Sequence, residues 1–257
     1  MSGSLDVDID PPVCTLTISN PGKRNALSSS FLPEVGATLE SLSDRTDVRC
    51  VVLTGAGDAA FCAGYDISEL STDQRDRERL VEDTTRQLRE FDYPSVARIN
   101  GDTVGAGMNL AGACDIRVAV DEARFGVTPA KLGNVYSYDG IQQLVDIVGP
   151  ADAKELLFTA DLVPAERAAR MGLVHYVVDR ESLDDRVSEL AGTIGSNAPL
   201  SLSGMKRIVN AITERGSFGA AEREWAARIR TEARESRDHE EGKRAFAEKR
   251  APEFEGH

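Results

Sequence analysis

Two segments of this chain repeat one order of events: an apolar run, a turn of small residues, then the opening of a helix. They read VVLTGAGDAAFCAGYDISEL (51–70) and ARINGDTVGAGMNLAGACD (97–115). A buried strand that stops at glycine and hands over to a helix is the working unit of an α/β protein. Further strands are expected at Cys14–Ser19, rich in β-branched residues, at Asp115–Val120 and at Val174–Val178. Helices are expected from about Ser29 to Leu42, from the GYDISEL stretch to about Glu90, and through most of the chain from PADAKELLFTA onward. From Ser201 to Lys249 the pattern is helical only and dense in charge pairs. Met205, Ile208, Ile212, Trp225, Ile229 and Phe246 there need a partner, either the main domain or a neighbouring subunit. The expected division is therefore residues 1–197 as an α/β core and 198–257 as a helical region for oligomerisation.

The two turns also suggest chemistry. A helix N-terminus presents unpaired N–H groups and partial positive charge, and glycine or alanine lets a ligand approach that backbone closely. Two such N–H groups converging on one oxygen make an oxyanion hole, worth roughly 3–4 kcal/mol per donor. TGAGDAA is not a dinucleotide fingerprint, because its third glycine is missing and no acidic residue ends a second strand about 20 residues on. Net charge of −13 disfavours nucleic acid as a partner. With 24 arginines against 6 lysines, the acidic, lysine-poor composition fits a protein working in high salt, the alternative being codon bias in an ordinary acidic protein. Four scattered cysteines and three histidines give no metal-ligand spacing, so no metal site is expected. The absence of a basic-then-apolar leader and of any apolar run near ~18 residues predicts a cytoplasmic protein without a membrane span.

FCAGYDISEL (61–70), INGDTVGAGMNLAGACDIRVA (99–119), ARFGVTPAKLG (123–133) and the tail EGKRAFAEKRAPEF (241–254) together resemble the crotonase superfamily, the enoyl-CoA hydratase/isomerase family. The likeness runs from about Val13 to Phe254. It implies a crotonase (ClpP-like) fold, a spiral of ββα units with a helical C-terminal region through which three subunits associate, commonly as stacked trimers. It implies acyl-CoA thioester substrates whose enolate is stabilised, with no cofactor beyond the CoA of the substrate. The two oxyanion donors fall on the backbone N–H groups of Tyr65 and Ala106. CoA would lie against Arg24, Ala26, Ala63, Asp66 and Ile67, with Phe246 and Lys249 reaching it from the tail, in some members from a neighbouring subunit. Alternatively Ala63, Gly64 and Asp66 make only a tight turn and cap, and Arg24 and Lys249 are solvated surface charges. Asp115 reads as structural.

The resemblance also exposes a departure. The two glutamates that handle water and the α-proton in the hydratases fall here on Asn109 and Pro129, and neither can take up a proton near neutral pH. General acid–base groups contribute roughly 10²–10⁴-fold each, so ordinary hydration is not expected. VTPAKLGNVYSYDGI, AKELLFTA and the tail resemble the branch that decarboxylates methylmalonyl-CoA, a reaction needing the oxyanion hole and a later proton source but no base. That branch's active-site tyrosine falls on Tyr136, which would orient the carboxylate or help reprotonate the enolate; packing is its other reading. Asn109 would donate a hydrogen bond to the substrate carboxylate or a water. Asp139, at the opening of a helix, is either the acid–base of an isomerase-type reaction or a helix cap. Three functions follow: a decarboxylase, a hydratase or isomerase using Asp139 or Tyr136, and a catalytically silent CoA-binding homologue.

Overall fold

Cys50–Gly55 (CVVLTG) is buried along its whole length, as a strand covered on both faces of a parallel sheet must be. A computed structural model of the protein describes residues 3–43, 45–66 and 74–257, and in it this segment is the third strand, β3. Ahead of it, β1 (Ser4–Asp10) and β2 (Val13–Ser19) form an antiparallel hairpin around Pro11 and Pro12, and α1 (Leu32–Ser43) returns the chain to β3. β2 and β3 then run parallel with β5 (Ser95–Ile99), β7 (Ile116–Val120) and β10 (Tyr176–Val178), in the order β1-β2-β3-β5-β7-β10. A smaller sheet holds β4 (Ala60–Cys62), β6 (Asp102–Val104), β8 (Arg124–Gly126) and β9 (Val163–Pro164).

Each turn of the spiral sends its first strand to the large sheet, its second to the small one, and then a helix. The units are β3–β4 with α2 (Gln74–Glu90), β5–β6 with α3 (Ala106–Ala113), and β7–β8 with α4 (Tyr138–Thr159). Helix α4 breaks at Gly149 (φ +74°), just before Pro150. This is the ββα spiral that the sequence implies. Helices α5 (Ala165–Arg170) and α6 (Leu183–Gly195) flank β10. Three helices follow, α7 (Pro199–Arg215), α8 (Ala220–Glu235) and α9 (Arg237–Glu248), and residues 249–257 end the chain without regular structure. Among the described residues no helix is long and apolar enough to cross a membrane.

The helical region is anchored on its own core. The Lys206 ammonium, on α7, donates to the Tyr93 carbonyl at 2.9 Å and pairs with Asp115 at 2.8 Å. Asp115 in turn accepts from the Ser95 N–H and hydroxyl, so it is a structural clamp. Asn210 donates to the Arg89 carbonyl at the end of α2. Met205, Val209 and Ile212 nevertheless form an exposed apolar stripe on α7.

Candidate active site

The two small-residue turns meet at the head of α3. The Leu27 N–H donates to the Gly64 carbonyl (2.7 Å) and the Leu27 carbonyl accepts the Asp66 N–H (2.8 Å), fixing Tyr65 between them. Across from this turn, Gly105 donates to the Gly126 carbonyl on β8. Gly64 (φ +104°) and Gly105 (φ +55°) both hold backbone that other residues rarely adopt. They also touch: a Cβ on Gly105 would lie 3.8 Å from the Gly64 Cα, and one on Gly64 would lie 3.9 Å from the Ala106 nitrogen. The glycines thus let the Tyr65 and Ala106 peptides sit side by side. Ala106 is the first residue of α3, and its N-cap, Gly105, supplies no side chain to the helix N-terminus, so the helix dipole adds positive potential there.

Both residues line a cavity of about 820 Å³ whose wall also includes Ala63, Asn109, Pro129 and Tyr136. Tyr136 donates to the Gly105 carbonyl at 2.8 Å and contacts the Asn109 Oδ1. That carbonyl belongs to the same peptide as the Ala106 N–H, so Tyr136 holds the plane of a candidate oxyanion donor. Burial raises the Tyr136 phenol above its ordinary pKa, which keeps it a neutral donor. Its hydroxyl serves Gly105 and Asn109, and Tyr136 also lines the cavity in which the sequence reading has it meet the substrate carboxylate or enolate. Because the one phenol proton goes to Gly105, the Asn109 carboxamide satisfies the same oxygen by turning its amide nitrogen to it, and the second N–H of that nitrogen is left as a donor for the cavity. Tyr136→Phe removes the neutral hydrogen bond that holds the Gly105–Ala106 peptide, a loss of about 1 kcal/mol at the donor. The expected result is kcat lowered up to about tenfold with KM nearly unchanged; steady-state kinetics with kcat equal to wild type would remove this role.

Other expected site residues lie farther off. Asp139 is exposed and outside the cavity wall, and the cap of α4 expected of it belongs to Ser137, which accepts the Gly140 N–H. The Arg24 guanidinium is bound to Asp102 (2.6 Å) and the Ala59 carbonyl, and its backbone carbonyl accepts from Ala63 in the site turn. Ala26 is buried behind that turn, and Asp66 pairs with Lys23 at 2.5 Å. Ile67 lies outside the described residues. Phe246, 87% exposed, lines a separate cavity between α7 and α9, and Lys249 is the left-handed C-cap of α9.

The structure adds residues that sequence reasoning passed over. Arg77, Glu78, Val81 and Glu82 of α2 line the same cavity. Their signal is the i, i+4 spacing of Glu78 and Glu82 around an apolar Val81, submerged in a helix full of charges. Beneath the site, burial pushes the Cys62 thiol up to about 12, so Cys62 is an inert packing group.

A sequence model of the enoyl-CoA hydratase/isomerase family matches residues 8–257. The chain is 37% identical to a short-chain-enoyl-CoA hydratase of Clostridium acetobutylicum over 202 residues, covering 77% of each protein. It is 33% identical to the methylmalonyl-CoA decarboxylase of Escherichia coli over 239 residues, covering 91% of each. The crystal structure of an enoyl-CoA hydratase from Bacillus anthracis superposes with a TM-score of 0.89 at 30% identity, covering 98% of this chain and 99% of that one. The chain belongs to the enoyl-CoA hydratase/isomerase family, the crotonase superfamily, and is an acyl-CoA enzyme of that kind.

Proposed function

We propose that this enzyme decarboxylates a malonyl-type CoA thioester. The observation that carries the reading is that Tyr65 and Ala106, whose backbone amides would be the oxyanion donors, line one cavity with Asn109 and Pro129, which stand where the hydratases have glutamates. When the substrate carboxylate stands perpendicular to the thioester plane, the carbon–carbon bond breaks, CO₂ leaves, and the electron pair becomes an enolate. The two amides stabilise the oxyanion, and Asn109 donates to the departing carboxylate. CoA enters as part of the substrate. The apolar stripe of Met205, Val209 and Ile212 supports assembly into trimers.

The test is incubation with methylmalonyl-CoA, ethylmalonyl-CoA, malonyl-CoA and crotonyl-CoA, following CO₂ and the product thioester. CO₂ release without hydration of crotonyl-CoA is expected. Hydration at a substantial rate rejects the reading, and tight CoA binding without turnover of any thioester marks a catalytically silent homologue instead.

A further inference from the structure

A decarboxylase of this kind still needs a proton for the enolate, and an isomerase needs a group that both takes and gives one. Tyr136 is committed to Gly105 and Asn109, and Asp139 stands outside the cavity wall. On α2, Glu82 is half-buried and lines the cavity together with Tyr65, Ala106 and Asn109. Arginines lie within reach along the helix, yet they pass Glu82 by. Arg79, three residues before it, pairs with Asp83 at 3.6 Å. Arg86, four residues after it, pairs with Asp83 at 2.8 Å and Glu90 at 3.8 Å. Among the described residues the Glu82 carboxylate makes no hydrogen bond or ion pair. A half-buried carboxylate without such a partner gives up hydration for nothing in the fold, which is the mark of a group kept for a ligand.

We propose that Glu82 is the proton-transferring residue at the α-carbon of the bound thioester. The inference rests on the reading of the cavity as an enolate site, but not on decarboxylation as the reaction. In decarboxylation, the enolate left by CO₂ takes the proton of the Glu82 carboxylic acid on its α-carbon, and the resulting carboxylate regains a proton from water. With a simple acyl-CoA, the Glu82 carboxylate removes an α-proton, exchanges it with solvent, and returns it. Burial raises the Glu82 carboxyl above the ordinary carboxylate range, and the negative charges of Asp139, Glu78 and Asp83 add to the effect. The direction of that shift favours the protonated form, as a group that delivers a proton requires. Asp139 belongs to α4, Glu78 and Asp83 to α2 itself, and α3 carries no charged side chain.

The experiment is α-proton exchange of butyryl-CoA in D₂O, followed by mass spectrometry, on wild type, Glu82→Gln and Asp139→Asn. Wild type is expected to incorporate deuterium, and Glu82→Gln to lose roughly 10²–10⁴-fold in exchange rate while still binding butyryl-CoA. Asp139→Asn is expected to keep exchanging, with the rise of rate against pH moved to lower pH, because a negative neighbour that favours the protonated form is gone. Exchange by Glu82→Gln at the wild-type rate, or no exchange by wild type, overturns the assignment. A wild type that exchanges butyryl-CoA but releases no CO₂ from methylmalonyl-CoA, ethylmalonyl-CoA or malonyl-CoA removes the decarboxylase reading and leaves Glu82 in its role.

Discussion

Replacing Ala106 by proline is expected to lower turnover by about 10²–10³-fold while leaving the fold intact. Proline deletes one atom of interest, the amide hydrogen of residue 106, and the loss of a single oxyanion donor is worth about that much. Few positions tolerate such a deletion, and this one does. Ala106 is the first residue of α3, where the N–H has no partner within the helix and the fixed φ of proline is already helical. A proline also restricts the residue before it, pushing it away from helical ψ. Gly105 stands at φ 55° and ψ −120°, outside that excluded range. Circular dichroism and thermal melting of Ala106→Pro should therefore match wild type, and CoA thioesters should still bind. Ala106→Ser, which keeps the N–H, is the control and should retain turnover. A proline variant that turns over the substrate of the panel at the wild-type rate would show that the negative charge develops elsewhere.

The result bears on what was legible in the sequence. The turns themselves were, because GAG and VGAG following apolar runs have few structural uses, and the order of motifs carried the fold with them. The buried strand Cys50–Gly55 announced itself by apolar continuity, and Ser95–Ile99 by a short β-prone run ended at glycine. The small sheet did not: β4, β6 and β8 are three residues each, too short for any period to show. β1 alternates Leu5, Val7 and Ile9 with acidic residues, a strand pattern that its acidity and its Pro-Pro end hide. At the site, sequence reasoning reached residues on the glycine turns and on the 129–139 stretch, since motifs mark them. It did not foresee that the Arg24 side chain pairs with Asp102, because an ion pair across 78 residues leaves no local trace. It missed Glu82 for a related reason. On a helix with arginines and carboxylates at nearly every exposed position, only the three-dimensional pairing shows which carboxylate is passed over.

The second large effect concerns stability and the attachment of the helical region. Asp115→Ala is expected to cost about 3–5 kcal/mol, the range for breaking a buried ion pair by removing one partner. The two ends of the pair are not equivalent. The Lys206 side chain is 5% exposed and that of Asp115 is 28% exposed. Removing the carboxylate strands an ammonium that water hardly reaches, left with the Tyr93 carbonyl and, at 5.9 Å, the Phe91 ring. It also frees the Ser95 N–H and hydroxyl that Asp115 accepts. Removing the lysine instead leaves a carboxylate that keeps both Ser95 hydrogen bonds and some water. Lys206→Met should accordingly cost less than Asp115→Ala. The double variant, in which no charge is stranded, should be more stable than Asp115→Ala alone, a coupling that additive losses cannot produce. Urea unfolding of the four proteins at equal subunit concentration measures it, the concentration being held because association would add to stability. A double variant whose loss equals the sum of the two single losses would mean that α7 is held by its apolar contacts, with the ion pair contributing nothing of its own.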